Sequence, residues 1–185
     1  MTSHLTLICH AATAAQRLGA FPRDDGIEPG PAKNLDALRS IATTAGTVLC
    51  APERRALETA GLLGLQVATT DTLRDCDLGN WRGRHLKDIQ RDDPNGTVLW
   101  LSEPGAKPHG GESLTELFER VDAWLETLPA AGHIVAVTHA SVMRAAVLHA
   151  LRAPADAFWR LDVEPLSTID MRHNGRFWSL RSFGR

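Results

Sequence analysis

The sequence predicts an α/β fold, a three-layer α/β/α sandwich with a mostly parallel central sheet, built as one domain over residues 1–185. Three observations carry this expectation. Short apolar, β-compatible runs alternate with amphipathic segments, the pattern of helices covering both faces of a parallel sheet. Two of those runs, Leu5 to Cys9 and Ile134 to Thr138, end in the same way, each delivering a histidine. At 185 residues, with no low-complexity linker or shift in composition, the chain suffices for one sizeable core.

In order, Leu5–Cys9 reads as a first strand, with His10 at its C-terminal end and small residues Ala11, Ala12, Ala14 and Ala15 after it that let a ligand approach the backbone. Phe21 to Pro31 holds Asp24-Asp25-Gly26 and Pro29-Gly30-Pro31, and is expected to be a surface loop. Asn34 is a candidate cap for a helix to about Ala45, with Leu35, Leu38 and Ile41 or Ala42 on one face and Gly46 as its stop. Val48–Cys50 makes a second buried strand. Pro52 suits the first turn of the helix that follows, which runs to about Gly64 and carries Arg55 in its first turn. Leu73 to Gly83 has glycines, a tryptophan and two acids without helical periodicity, and reads as a packed loop. Leu86 to Ile89 suggests a short helix, Val98 to Leu101 an apolar patch, and Pro104 to Gly111 a loop. The clearest helix follows Ser113, where Leu114, Leu117, Phe118, Val121, Trp124, Leu125 and Leu128 form a core-facing stripe. Pro129 and Gly132 end it. The strand to His139 and an apolar helix to about Leu151 come next, and Leu166–Met171 and Phe177–Ser182 flank an Asn174-Gly175 turn as a hairpin or two adjacent strands.

Composition narrows the function classes. The formal net charge is -2, which gives no general attraction to nucleic acid or to an anionic membrane. No apolar run reaches transmembrane length, and the first residues lack the pattern of a signal peptide, so the expected location is cytoplasmic. Three cysteines, Cys9, Cys50 and Cys76, are odd in number and lack C-x-x-C spacing. They indicate neither a disulfide framework nor a zinc ribbon, and the expectation is no metal and no cofactor. Nothing in the sequence sets an oligomeric state.

The candidate chemistry lies at the strand ends. His10 and His139 each follow an apolar run, the place where α/β folds put ligands. Arg55, at a helix N-terminus, adds a planar fork of donors to free N–H groups, an arrangement suited to an anion. Asp75 and Asp77 offer carboxyl groups in a loop, as an acid near a leaving group or as turn formers.

In this order the motifs resemble the histidine phosphatase superfamily, also called the phosphoglycerate mutase-like family. Its opening Arg-His-Gly followed by Glu-Thr is represented by Cys9-His10-Ala11-Ala12-Thr13, which keeps the histidine and threonine. Its Ser-Ser-Pro and Arg-Ala-x-Gln-Thr-Ala are similar to Cys50-Ala51-Pro52 and Arg55-Ala56-Leu57-Glu58-Thr59-Ala60. Its Leu-Arg-Glu loop ending in Gly-x-Trp-x-Gly is similar to Leu73-Arg74-Asp75 and Gly79-Asn80-Trp81-Arg82-Gly83. Pro-Pro-Gly-Gly-Glu-Ser and Val-x-His are matched by Pro108-His109-Gly110-Gly111-Glu112-Ser113 and Val137-Thr138-His139.

The resemblance implies a phosphoglycerate mutase-like fold and a phosphatase acting on a small phosphorylated metabolite. His10 would attack phosphorus, Arg55 and His139 would hold the phosphoryl oxygens, and Asp75, one methylene shorter than the family's glutamate, would protonate the leaving group, with Asp77 as the fallback. Cys9 stands where the family has an arginine, a loss expected to slow the enzyme by about 10²–10³. Arg17 is the candidate to reach into that place. The alternatives are a degenerate member that binds a phosphorylated ligand without turnover and, with little chain to form a lid, a phosphomutase. Residues 16–31 and 95–109 are the candidate specificity loops.

Overall fold

The computed structural model describes residues 2–29 and 35–184. A six-stranded sheet runs through the molecule: β1 (Ser3–Cys9), β2 (Thr47–Cys50), β3 (Ala68–Thr69), β4 (Gly132–Thr138), β5 (Thr168–His173) and β6 (Trp178–Gly184), in spatial order β3-β2-β4-β1-β5-β6. β3, β2, β4 and β1 pair in parallel, whereas β5 and β6 add an antiparallel edge through the hairpin predicted around Asn174-Gly175. The sheet is thus mostly parallel and of the mixed α/β class that the alternation of elements predicts. Leu5, Leu7, Ile8 and Ile134 through Val137 are buried, as expected for strands covered on both faces.

Seven helices are described: α1 (Ala14–Leu18), α2 (Leu35–Thr43), α3 (Arg54–Leu62), α4 (Leu86–Asp92), α5 (Pro94–Ser102), α6 (Leu114–Thr127) and α7 (Ala140–Leu151). None is long and apolar enough to cross a membrane. α6 buries Leu114, Leu117, Val121, Trp124 and Leu125, as its spacing predicts, and opens on a reciprocal cap between Ser113 and Glu116. Asn34, the expected cap of α2, lies outside the described residues. The Val98–Leu101 patch is part of helix α5 rather than an isolated apolar run. Pro94 begins that helix, and the Asp93 carboxylate accepts the Gly96 N–H. Three features went unread in the sequence: the five-residue helix α1, capped by Thr13, the two-residue edge strand β3, too short for periodicity to register, and a 3₁₀ segment, Ala155–Arg160, that carries Phe158 and Trp159.

The parallel register explains the placement of the site. Cys9 pairs with Thr138, so the residues that follow the two strands, His10 and His139, emerge side by side. β2 lies on the other side of β4, with Cys50 against Val137, which sets Pro52 and the start of α3 next to His139. The C-terminal ends of three neighbouring strands therefore converge in one crevice.

Candidate active site

The His10 and His139 rings lie 5.2 Å apart between centroids, and both residues are buried. The His10 backbone N–H donates to Thr138 O at 2.9 Å, and its Nδ1 lies 2.7 Å from the carbonyl of Ala11. A carbonyl only accepts, so Nδ1 carries the proton and Nε2 keeps its lone pair. Burial, and then the neighbouring His139, push the His10 pKa down to about 4, which keeps the imidazole neutral near pH 7. The Thr59 hydroxyl locks the next residue, accepting the Ala11 N–H at 2.9 Å and donating to Arg55 O at 2.6 Å. One side chain of α3 thereby ties the turn after His10 to the turn that carries Arg55.

Arg55 is buried in the first turn of α3. Its Nη2 donates to Asp75 Oδ2 at 2.6 Å and its Nη1 to Arg23 O at 3.0 Å, while Nε has no partner among the described residues. Asp75 also accepts the Cys76 N–H and the Ser141 hydroxyl on Oδ1. Burial works to raise the Asp75 carboxyl, but His139, Arg55 and Ser141 together outweigh it and hold it well below the usual carboxylate range. His139 Nε2 contacts Glu53 Oε2 at 2.8 Å, and the other Glu53 oxygen accepts the Asp75 N–H at 2.9 Å. Burial raises the Glu53 carboxyl as well, yet the hydrogen bond from His139 leads the effects that bring it below its ordinary value. With Nε2 occupied, His139 Nδ1 is left buried, 3.7 Å from Asp75 Oδ2 and without a hydrogen bond among the described residues.

The loop carrying Asp75 is held from behind by buried Glu112. This carboxylate accepts from Arg120 Nε and Nη2 at 2.8 and 2.7 Å and from Arg74 Nη2 at 3.0 Å, while the Glu112 N–H donates to Asp77 O at 2.7 Å. The Thr138 hydroxyl adds a bond to Leu73 O at 2.8 Å. Gly111 lies so close beneath that a Cβ there would fall 2.0 Å from Asp77 O. Pro-His-Gly-Gly-Glu-Ser is therefore the bed on which the acidic loop rests.

Four of the five candidate residues, His10, Arg55, Asp75 and His139, are thus brought together. Arg17 is not. Its side chain is 62% exposed and its Nε and Nη2 both donate to Glu28 Oε1, because the Gly19-terminated helix α1 turns it outward. Gln16, one residue earlier, does line the site. Asp77 also stays apart, paired with Arg82 at 2.9 Å and accepting the Gly79 N–H. Sequence reasoning missed Glu53, Ser141 and Arg144. Their signals were an acid directly after Pro52 and two polar residues early in an otherwise apolar helix that starts at His139.

The site opens into a cavity of about 190 Å³ lined by Phe21, Trp100, Phe158 and Trp159 together with His10, Arg55 and Asp75. Trp100 is half-buried and packs edge-on against Phe21, Trp81 and Trp159 at 4.6–5.5 Å. A larger cavity of about 770 Å³ lies at the opposite end of the strands, near Ser3 and Ala130, and contains none of the candidate residues. Among the described residues no group of three His, Cys, Asp or Glu side chains is arranged to hold a metal ion. Burial pushes the Cys9 and Cys50 thiols up to about 12, so neither is a thiolate at neutral pH.

Comparison with known proteins gives a consistent result. Residues 5–185 match the model of the histidine phosphatase superfamily, branch 1. The adenosylcobalamin/α-ribazole phosphatase of Escherichia coli K12 is 28% identical over 194 residues, covering 96% of this chain and 93% of that protein. Among solved structures, the α-ribazole phosphatase of Shigella flexneri superimposes with a TM-score of 0.81 at 24% identity, over 98% of this chain and 96% of that one. A mycobacterial glucosyl-3-phosphoglycerate phosphatase does so with 0.80 at 20% identity, over 100% and 99%. At these identities the superpositions speak for the fold alone.

Proposed function

The chain belongs to the histidine phosphatase superfamily, and from that premise we propose that it hydrolyses a small-molecule phosphomonoester through a phosphohistidine on His10. One observation carries the reading. A neutral histidine, its Nε2 without a hydrogen bond, faces a crevice in which two buried nitrogens, Arg55 Nε and His139 Nδ1, also lack partners among the described residues. Buried polar atoms are rarely left unsatisfied, and a phosphoryl group between these side chains supplies the oxygens.

The chemistry balances on the residues present. The lone pair of His10 Nε2 forms the P–N bond as the ester P–O bond breaks, and the leaving oxygen takes a proton from Asp75. Water then attacks phosphorus and returns a proton to Asp75, and the P–N electrons go back to Nε2. In the free protein Asp75 is ionised against Arg55, so it holds no proton to give. A phosphate dianion changes this. It draws Arg55 to itself, and its charge raises the neighbouring carboxyl, so the acid forms in the complex. Glu53 accepts from His139 Nε2 and fixes the ring, so that in its imidazolium form the Nδ1–H donates to the phosphoryl group.

The aromatic wall sets the kind of leaving group. Phe21, Trp100 and Trp159 offer flat apolar faces beside the reacting histidine, which suits a phosphomonoester bearing a ring rather than a glycerol or an amino acid. The relatives' names include an adenosylcobalamin/α-ribazole phosphatase, a phosphoserine phosphatase and a glucosyl-3-phosphoglycerate phosphatase, and it is the aromatic wall that favours the ring-bearing class.

The test is phosphate release from a panel of monoesters by the natural protein and by His10→Ala, with protein quenched in alkaline detergent and probed for acid-labile phosphohistidine. Release that disappears with His10, together with a trapped intermediate, is the expected result. Release that survives in His10→Ala would overturn the route. Phosphate binding without any release would leave a binding protein.

A further inference from the structure

The crevice holds a second guanidinium. Arg144, on the second turn of α7, lines the same cavity as His10, Arg55 and Asp75. Its Nε donates to Leu161 O at 2.7 Å, and the guanidinium carbon sits 5.4 Å from the centre of the Phe158 ring. These two contacts fix the plane of the fork while leaving its two terminal nitrogens without a hydrogen bond among the described residues. The residue is half-buried, and no carboxylate among them lies within ion-pair distance of it. Burial lowers its pKa, an effect opposed by the charges of Asp162 and Asp75. A guanidinium taken partly out of water, anchored through one nitrogen and paired with no carboxylate, is unfavourable for folding and suited to an incoming anion.

The neighbourhood explains why one is needed. Cys9, directly before His10, is fully buried and a neutral thiol, so it brings no charge to the phosphoryl group. Arg55 is paired with Asp75 and Arg23 O in the free protein, so a phosphoryl group draws this fork only at the cost of those contacts. Arg17 is turned away on Glu28. Arg144 lines the same cavity as His10 and Asp75, and its charge acts on Asp75.

We propose that Arg144 binds the phosphoryl oxygens directly, its terminal nitrogens supplying from helix α7 the second cationic fork that the strand end at Cys9 does not provide. This rests on the phosphomonoesterase reading above and deepens it. A substrate for this site then needs a dianionic phosphoryl group held between two guanidinium forks, with its ring against Phe21, Trp100 and Trp159.

The experiment measures binding of inorganic phosphate and of vanadate by calorimetry and thermal shift, for the natural protein, Arg144→Met, Arg144→Lys and Arg17→Ala. Methionine keeps the apolar stem over Phe158, and unchanged circular dichroism with cooperative melting checks that the variants fold. Expected are a loss of about 10–100-fold in phosphate and vanadate affinity in Arg144→Met, partial recovery in Arg144→Lys, and no change in Arg17→Ala. The same Met variant should lose about 10²–10³-fold in kcat/KM on an aryl phosphate. If the natural protein binds phosphate and Arg144→Met binds it equally well, Arg144 is not a phosphate ligand while the phosphatase reading stands. A rise in KM confined to substrates with an acidic leaving group, with phosphate binding unchanged, would place the fork on the leaving group and overturn the proposal. A natural protein blind to both anions refutes the two readings together.

Discussion

Replacing Asp75 by asparagine separates the two roles its carboxylate plays. In the free protein it neutralises Arg55, which is only 3% exposed, across 2.6 Å. Breaking a buried pair while keeping the cation costs about 3–5 kcal/mol. The lower figure applies here, because the Asp75 side chain retains 21% exposure and asparagine can still accept the Cys76 N–H. For a chain of this length that is a fall of about 10 °C in melting temperature. The same carboxylate opposes an incoming phosphate. At about 5 Å and an effective dielectric near 20, each pair of like charges costs roughly 3 kcal/mol, and screening at the open mouth reduces it. Phosphate should therefore bind Asp75→Asn about 10–100-fold more tightly, and saturating phosphate, at about 100 times Kd, should return about 2.7 kcal/mol of stability. Turnover falls, because no acid forms. Calorimetry in buffers of different ionisation enthalpy adds a proton count, with uptake of about one proton on phosphate binding to the natural protein near neutral pH and none in the variant. An Asn variant that binds phosphate no more tightly, or melts at an unchanged temperature, would refute the view that Asp75 and phosphate compete for Arg55.

Further expectations concern the supports of the site. Because His10 is neutral in the fold down to about pH 4 and an unfolded histidine titrates near 6.5, the unfolded chain binds the extra proton between those values. His10 thus withdraws about 3 kcal/mol of stability as pH falls from 6.5 to 4, and urea unfolding of His10→Asn should lack that acid slope. Glu112→Gln leaves the Arg120 fork, 12% exposed, without its carboxylate, and should cost about 3 kcal/mol in denaturant unfolding while loosening the Asp75 loop and lowering turnover. Gly111→Ala drives a methyl into Asp77 O and should cost a similar amount, about 3 kcal/mol, with turnover lost more than stability accounts for. Trp100→Ala should raise KM about tenfold for ring-bearing phosphomonoesters and leave glycerol phosphates unaffected, measured by initial rates.

Much of the architecture was legible because it depends on local pattern. The stripe of α6, the matched runs ending at His10 and His139, and the Asn174-Gly175 hairpin each follow from periodicity or turn chemistry within a few residues. Val98–Leu101 was harder, since four apolar residues carry no period, and only Pro94 and the Asp93 cap resolve them as the end of a helix. The convergence of His10, Arg55, Asp75 and His139 followed from five motifs in order rather than from any one of them.

What the sequence by itself determined was which residues end the strands, and hence which imidazoles and which helix-start arginine reach the crevice. Tertiary structure alone decided which charges meet there. Arg17 and Arg144 are the same residue type, and the chain places Arg17 nearer to His10. Yet α1 turns the first onto Glu28, whereas α7, packed against α6, β6 and β1, carries the second into the cavity. Glu53 likewise reached His139 because β2 lies beside β4. Local pattern fixes where a side chain leaves its own element, but its partner comes from the packing of elements far apart in the chain.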